Sequence, residues 1–145
     1  MAVTVKKVTL WRSDVDNRPG MLAEVLEPLA AAKVDLQMVV GFRLPDNENQ
    51  AVIALSPVVG KKAMAAARTG GLAASARPAL LAEGDNQPGL GYAMVKALAD
   101  AGINLRFVLA QVIGRRYSAL FGLESEDDAR KAVTLIKRAG ASKKR

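Results

Sequence analysis

Two short segments gather most of the side chains that could hold a small charged molecule. One runs Asp14-Val-Asp16-Asn17-Arg18-Pro19-Gly20, the other Gly84-Asp85-Asn86-Gln87-Pro88-Gly89. Each stands just before an apolar pattern of helical period, so the first turn of that helix would present main-chain N–H groups without intrahelical partners. Such donors suit a carboxylate. They belong to Gly20, Met21 and Leu22 in one segment and to Gly89, Leu90 and Gly91 in the other. Asn17 and Asn86 can both donate and accept, while Asp14, Asp16, Asp35 or Asp85 can face an ammonium group. Together these groups could recognise a zwitterion whose two charges lie close together.

What the chain lacks narrows the chemistry further. Among its 145 residues there is no His and no Cys. A Ser–His nucleophile is therefore impossible, and the commonest general base and metal ligand are missing. There is no thiolate site and no disulfide. Asp14-Val-Asp16-Asn17 begins like a calcium loop, but Arg18 and Pro19 occupy the next ligand and glycine positions, so no metal is expected. The net charge is +7, of which Lys143, Lys144 and Arg145 supply three units. That end reads as a solubilising tail, and no basic stripe of the nucleic-acid type appears. A phosphate-handling enzyme would want a basic cradle where this chain places Asp14, Asp16 and Asp85. Charges interrupt every apolar stretch, so no membrane span is expected, and the start shows no apolar export signal. The reading is a cytoplasmic protein without enzymatic activity, cofactor or metal.

The two segments lie within a repeat. Asp16–Leu36 aligns with Asp85–Leu105 at an offset of 69 without a gap, and eight of 21 positions are identical. The shared Asp-Asn-x-Pro-Gly carries most of that signal. In each copy a strand (Val8–Arg12 in the first) runs into this cluster, where Asn would cap a helix, Pro would open its first turn and Gly would allow close backbone approach. The helical pattern is Leu22, Val25, Leu26, Leu29 in copy one and Met94, Val95, Leu98, Ala101 in copy two. Pro28 should kink or interrupt the first of these helices. Alternating residues follow, Leu36 to Leu44 and Leu105 to Leu109, then a polar turn and another strand. A second helix closes each copy, Lys61–Thr69 before Gly70-Gly71 and Glu126–Ala139 before Gly140.

This order, β-α-β-β-α, leaves each sheet one strand short. The N-terminal segment has strand to spare, because its apolar alternation changes phase at Lys6-Lys7. Residues 2–6 are expected to close the sheet of the second copy and residues 72–77 that of the first, removing two exposed edges. The modules would then be residues 1–71 and 72–145. Units of about 70 residues are marginal alone, which gives such an exchange a physical motive.

The two copies resemble the ACT domain, a small ligand-binding regulatory module of β-α-β-β-α-β order. The resemblance is carried by Asn17-Arg-Pro-Gly-Met-Leu and Asn86-Gln-Pro-Gly-Leu, supported by Val34-Asp-Leu and Gly102-Ile-Asn-Leu. It implies an α+β fold of two ferredoxin-like βαββαβ modules in tandem, each an antiparallel sheet with helices on one face. It also implies an amino acid or similar metabolite bound at the strand-to-helix junctions and between paired modules. Serine-binding members of the family use a His-x-Asn-x-Pro-Gly segment and an Asn at the start of the second strand. Matched to that motif, Asn17 and Asn86 keep the first Asn, Gly20 and Gly89 the Gly, and Asn104 the second-strand Asn, which is Asp35 in copy one. Val15 and Gly84 stand where the motif has His, which argues against serine itself. With the pair Asn86 and Asn104, the second copy is expected to be the better site.

The reading that results is a regulatory protein binding an amino acid or related metabolite, with a partner enzyme or a second copy of itself as the recipient of the signal. The alternative is an interaction module in which the repeat serves only as scaffold.

Overall fold

A computed structural model describes residues 3–141, so Ala2, where the first closing strand is expected to begin, and the basic tail at 143–145 lie outside the described residues. In chain order the elements are β1 (Thr4–Val8), β2 (Trp11–Asp16), α1 (Met21–Ala31), β3 (Met38–Leu44), β4 (Asn47–Ser56) and α2 (Lys61–Thr69). They continue with β5 (Ala73–Ala74), β6 (Ala79–Asp85), α3 (Leu90–Asp100), β7 (Leu105–Ile113), β8 (Arg116–Leu123) and α4 (Glu126–Ala141). None of the described helices is long and apolar enough to cross a membrane.

The strands form two antiparallel sheets, in the orders β3-β4-β2-β5 and β1-β6-β8-β7. Two compact units correspond to them, among the described residues 9–76 and 3–8 with 77–141. The 9–76 unit is contiguous and reads βαββαβ. Its fourth strand is the short β5, which pairs Ala73 and Ala74 with Arg12 and Trp11 of β2. The other unit borrows its fourth strand from the front of the chain, with Thr4 to Val8 of β1 antiparallel to Glu83 to Ala79 of β6. Of the two closing strands, only β1 comes from the far end of the chain, whereas β5 follows α2 within the contiguous 9–76 unit, so the structure shows one borrowed strand. The break falls at Thr9-Leu10 rather than at Lys6-Lys7, and the strand expected over Val8–Arg12 is β2, beginning at Trp11.

Alternation fixes which face of each sheet meets the helices. In β2, Trp11 and Val15 join Ile53 and Leu55 of β4, Val25 and Leu29 of α1, and Ala63 and Ala67 of α2 in one core. Arg12, Asp14 and Asp16 therefore take the helix-free side. In the second unit Val3, Leu80, Ala82, Met94, Leu98, Phe121, Leu123 and Ile136 form the corresponding core. Burying each such aliphatic or aromatic side chain is worth about 1.5–3 kcal/mol, and these clusters hold the elements in register.

Two expectations about the helices change. α1 runs through Pro28 and is as long as α3, at 11 residues each. Pro28 stands in its last turns, so the lost N–H and any local distortion are confined to the C-terminal end. Gly140 lies inside α4 rather than after it. A Cβ on Gly140 would stand closer than van der Waals contact to the Val3 side chain, so the missing side chain lets the segment leading into β1 lie against the helix.

Candidate functional site

Both Asp-Asn-x-Pro-Gly segments build the same corner between a strand end and a helix, by a route the sequence did not suggest. Gly20 has φ 88° and ψ −9°, and Gly89 has φ 86° and ψ −3°. The Met21 N–H donates to the Arg18 carbonyl at 3.3 Å, and the Leu90 N–H to the Gln87 carbonyl at 3.1 Å. Pro followed by a left-handed Gly, closed by that bond, is a type II turn. Pro19 and Pro88 thus precede the helix instead of opening it, and no side chain caps either α1 or α3. The amides of Met21 and Leu90 are spent on the turn. Glu24 and Ala93 donate to the carbonyls of Gly20 and Gly89. The open donors are consequently those of Leu22 and Ala23 in the first corner and of Gly91 and Tyr92 in the second.

Asn17 is not the helix cap it resembles in sequence. Its Nδ2 donates to the Glu48 carbonyl at 2.7 Å, and its N–H to the Asn49 carbonyl at 2.9 Å. It therefore ties the end of β2 to the β3–β4 hairpin. In the second corner the Asn86 N–H makes the equivalent bond to the Arg115 carbonyl at 2.8 Å. The aspartates before these asparagines are also engaged. Gln50 Nε2 donates to Asp16 Oδ1 at 3.2 Å, and Arg116 Nη1 donates to Asp85 Oδ1 at 3.0 Å. Both pairs follow the cross-strand register, Asp16 opposite Gln50 and Asp85 opposite Arg116. Alternation puts them on the helix-free face. Arg18 forms a two-pronged pair with Glu24, at 2.9 and 3.0 Å. That hydrogen-bonded pair raises the Arg18 pKa and lowers that of Glu24, and both groups are solvent-exposed.

A cavity of about 250 Å³ opens at the first corner. Its walls include Asp16, Asn17, Arg18, Met21 and Leu22 from the strand–turn–helix segment. Gly41, Phe42 and Arg43 of β3 and Ala51, Val52 and Ile53 of β4 complete them. Gly20 stands beside it with open space where a side chain would be. Asp35 is not brought there. It lies beyond the other end of α1, about 16 Å along the helix axis, beside a separate hollow of about 320 Å³ that Lys33 and Lys62 also line. Asn104 is likewise separated from Asn86 by the length of α3.

The second corner is occupied by its own chain. A Cβ placed on Gly91 would stand 2.8 Å from the Tyr117 hydroxyl, so the phenol reaches across to the first turn of α3. Leu90 is buried there at 7% exposure, whereas Leu22, one position further along the first helix, is 43% exposed. Burial pushes the Tyr117 pKa up from its ordinary value. The repeat offset pairs Leu22 with Gly91 and Arg43 with Val112. The sheet registers pair Ala51, opposite Val15, with Tyr117, opposite Gly84.

Sequence reasoning missed Arg43, Ala51 and Tyr117. The signal was available, because carrying the repeat alignment past Leu36 and across the hairpins, which differ in length, lines up these residues.

The sequence matches no family model and no curated relative. Its fold matches solved structures along nearly its whole length. It is similar to protein BT0572 from Bacteroides thetaiotaomicron, with 17% identity and a TM-score of 0.74 over 92% of this chain and 89% of that one. It is also similar to the ligand-free regulatory subunit of aspartate kinase from Thermus thermophilus, with 17% identity and a TM-score of 0.63 over 96% and 97%. A third is a putative C-terminal regulatory domain of aspartate kinase from Porphyromonas gingivalis, with 12% identity and a TM-score of 0.59 over 97% and 98%. By its fold the chain is a tandem of ferredoxin-like βαββαβ modules, the fold it shares with those regulatory chains of aspartate kinase.

Proposed function

We propose that this is a non-enzymatic regulatory protein that binds an amino acid or similar small metabolite, and that the first corner is its site. The observation that carries the reading is the cavity of about 250 Å³ between the first turn of α1 and the β3–β4 hairpin. It combines apolar walls with a few polar groups, as small-molecule sites do. The open amides of Leu22 and Ala23 lie at the helix end where negative charge is favoured. The regulatory subunits of aspartate kinase that share the fold support a regulatory role. A signal from such a site passes to a partner enzyme or a second copy of the chain, and it requires unequal binding to two states.

Thermal unfolding against the twenty amino acids and common nucleotides tests this reading. A saturable rise in Tm with one of them is expected, because a ligand that binds only the folded chain stabilises it by mass action. A flat response across the panel would overturn it.

One observation favours the scaffold reading. The edge strand β7 leaves Val108, Leu109, Val112 and Ile113 exposed, at 51%, 44%, 46% and 69%. An apolar edge of this kind suits strand pairing with a protein partner.

A further inference from the structure

Resting on the ligand site proposed above, we infer that the chain holds one ligand, in the first corner, and that this ligand is a small monocarboxylate with an apolar body gripped by Arg43. Arg43 lies opposite Ala51. Alternation from Val15 puts both on the helix side of the sheet, where the cavity opens. The ladder register shifts between Arg43 and Leu44, an irregularity of the kind that re-aims a strand end. Among the described residues Arg43 makes no ion pair, whereas Arg18 is closed onto Glu24. The nearby acids are engaged too, since Asp16 accepts from Gln50 on the opposite face and Glu24 is held by Arg18. The cavity wall therefore carries one cation without an ion pair, Arg43, and one carboxylate, Asp16, which alternation turns toward the helix-free face. A guanidinium beside apolar walls selects a carboxylate, which it can grip with two parallel N–H donors. Met21, Leu22 and Ile53 provide apolar wall for the rest of the molecule.

The second corner is the built-in contrast. Val112 replaces Arg43, which removes the cation, and Tyr117 replaces Ala51, which puts a phenol against Gly91 where the first corner has space. A carboxylate entering there would find Arg116 already paired with Asp85, only the exposed hairpin residue Arg115 as a cation without an ion pair among the described residues, and a half-buried ring in its way.

Calorimetry on the full chain with 4-methylpentanoate and 3-methylbutylamine, alongside thermal unfolding with the twenty amino acids, tests the inference. The acid should bind at one per chain and the amine should not. Arg43→Gln should weaken the acid at least tenfold, and Arg43→Lys should recover part of the loss. Arg43 is exposed at a sheet edge, so both variants should fold. Equal binding of the amine, unchanged binding in Arg43→Gln, or two equivalent acid sites per chain would each overturn the inference. So would an amino-acid response without any acid response, and that result would leave the proposed function standing. No response to any compound would overturn both.

Discussion

The two corners of this chain share a turn and differ in what crosses it. Both have Asp-Asn-x-Pro-Gly, both place Gly in the left-handed region, and both bond the residue after that Gly back to the residue before Pro. Those features explain why a strand can stop and a helix begin within a few residues, and they need no ligand. The differences lie at three positions contributed by the helix and the hairpin: Leu22, Arg43 and Ala51 against Gly91, Val112 and Tyr117. A repeated motif thus reports a shared architecture, while under the proposed function the capacity to bind would be set by neighbours that the motif does not contain.

The largest expected effect comes from making the first corner into the second. In Leu22→Gly with Ala51→Tyr, a phenol should fill the cavity against a glycine, as it does in the second corner. Affinity for whichever amino acid raises the wild-type Tm should fall by about a hundredfold or more, equivalent to about 2.7 kcal/mol. Titration calorimetry reads this directly. Retained affinity would mean that the corners differ in shape without differing in function.

Next is the loss of the plug itself. Tyr117→Ala removes a half-buried ring that packs against the core of the second unit. Fully buried aromatic truncations cost 3–5 kcal/mol, so about 1–3 kcal/mol is expected for this partly exposed side chain, measured by urea denaturation. A loss near zero would indicate that the ring contributes little packing and that the second corner is open in solution.

How much of this could be read from sequence follows the same division. The repeat, the element order and the borrowed N-terminal strand were legible because hydrophobic alternation and turn residues are local, but the join was misplaced, since Lys6 and Lys7 lie inside β1 and the break falls at Thr9-Leu10. The turn type was not legible, because Pro before a helix fits N1 and a type II turn equally well, and only the Gly20 backbone angles decide between them. Gly140 looked like a helix stop. Its role depends on Val3, 137 positions away in the chain, a contact that no local pattern encodes. The asparagines were conspicuous and turned out to tie strand ends to hairpins, at least through Asn17. Arg43 and Tyr117 were inconspicuous, because each sits in an alternating strand where any residue type can stand, and their meaning depends on which helix turn lies above them.

A smaller effect probes the contact between Tyr117 and the helix. Gly91→Ala puts a methyl group 2.8 Å from the Tyr117 hydroxyl, the far end of a movable side chain. Ala is worth about 1 kcal/mol over Gly within a helix, so that gain and the clash should nearly cancel in the wild type. Removing the hydroxyl with Tyr117→Phe should release the gain, making Gly91→Ala more favourable by about 0.5–1 kcal/mol than in the wild-type background. Additivity between the two substitutions would place the phenol elsewhere.

The gentlest test leaves the packing intact and titrates the phenol. The chain has two tyrosines, so a Tyr92→Phe background isolates Tyr117. Burial disfavours the tyrosinate and raises the Tyr117 pKa above 10.0. The folded chain therefore holds this proton more tightly than the unfolded chain, in which the phenol titrates at about 10. The stability contributed by the neutral phenol is fully present below that value and is lost as pH rises through the folded-state pKa. Tyrosinate absorbance should appear later in pH for the native protein than for the protein in urea. The urea midpoint should also fall more steeply above about pH 10 than it does in Tyr117→Phe, which carries every other alkaline group unchanged. If native and unfolded titrations coincide, the ring is solvated, the plug is out, and the contrast between the corners rests on Arg43 against Val112 and Leu22 against Gly91.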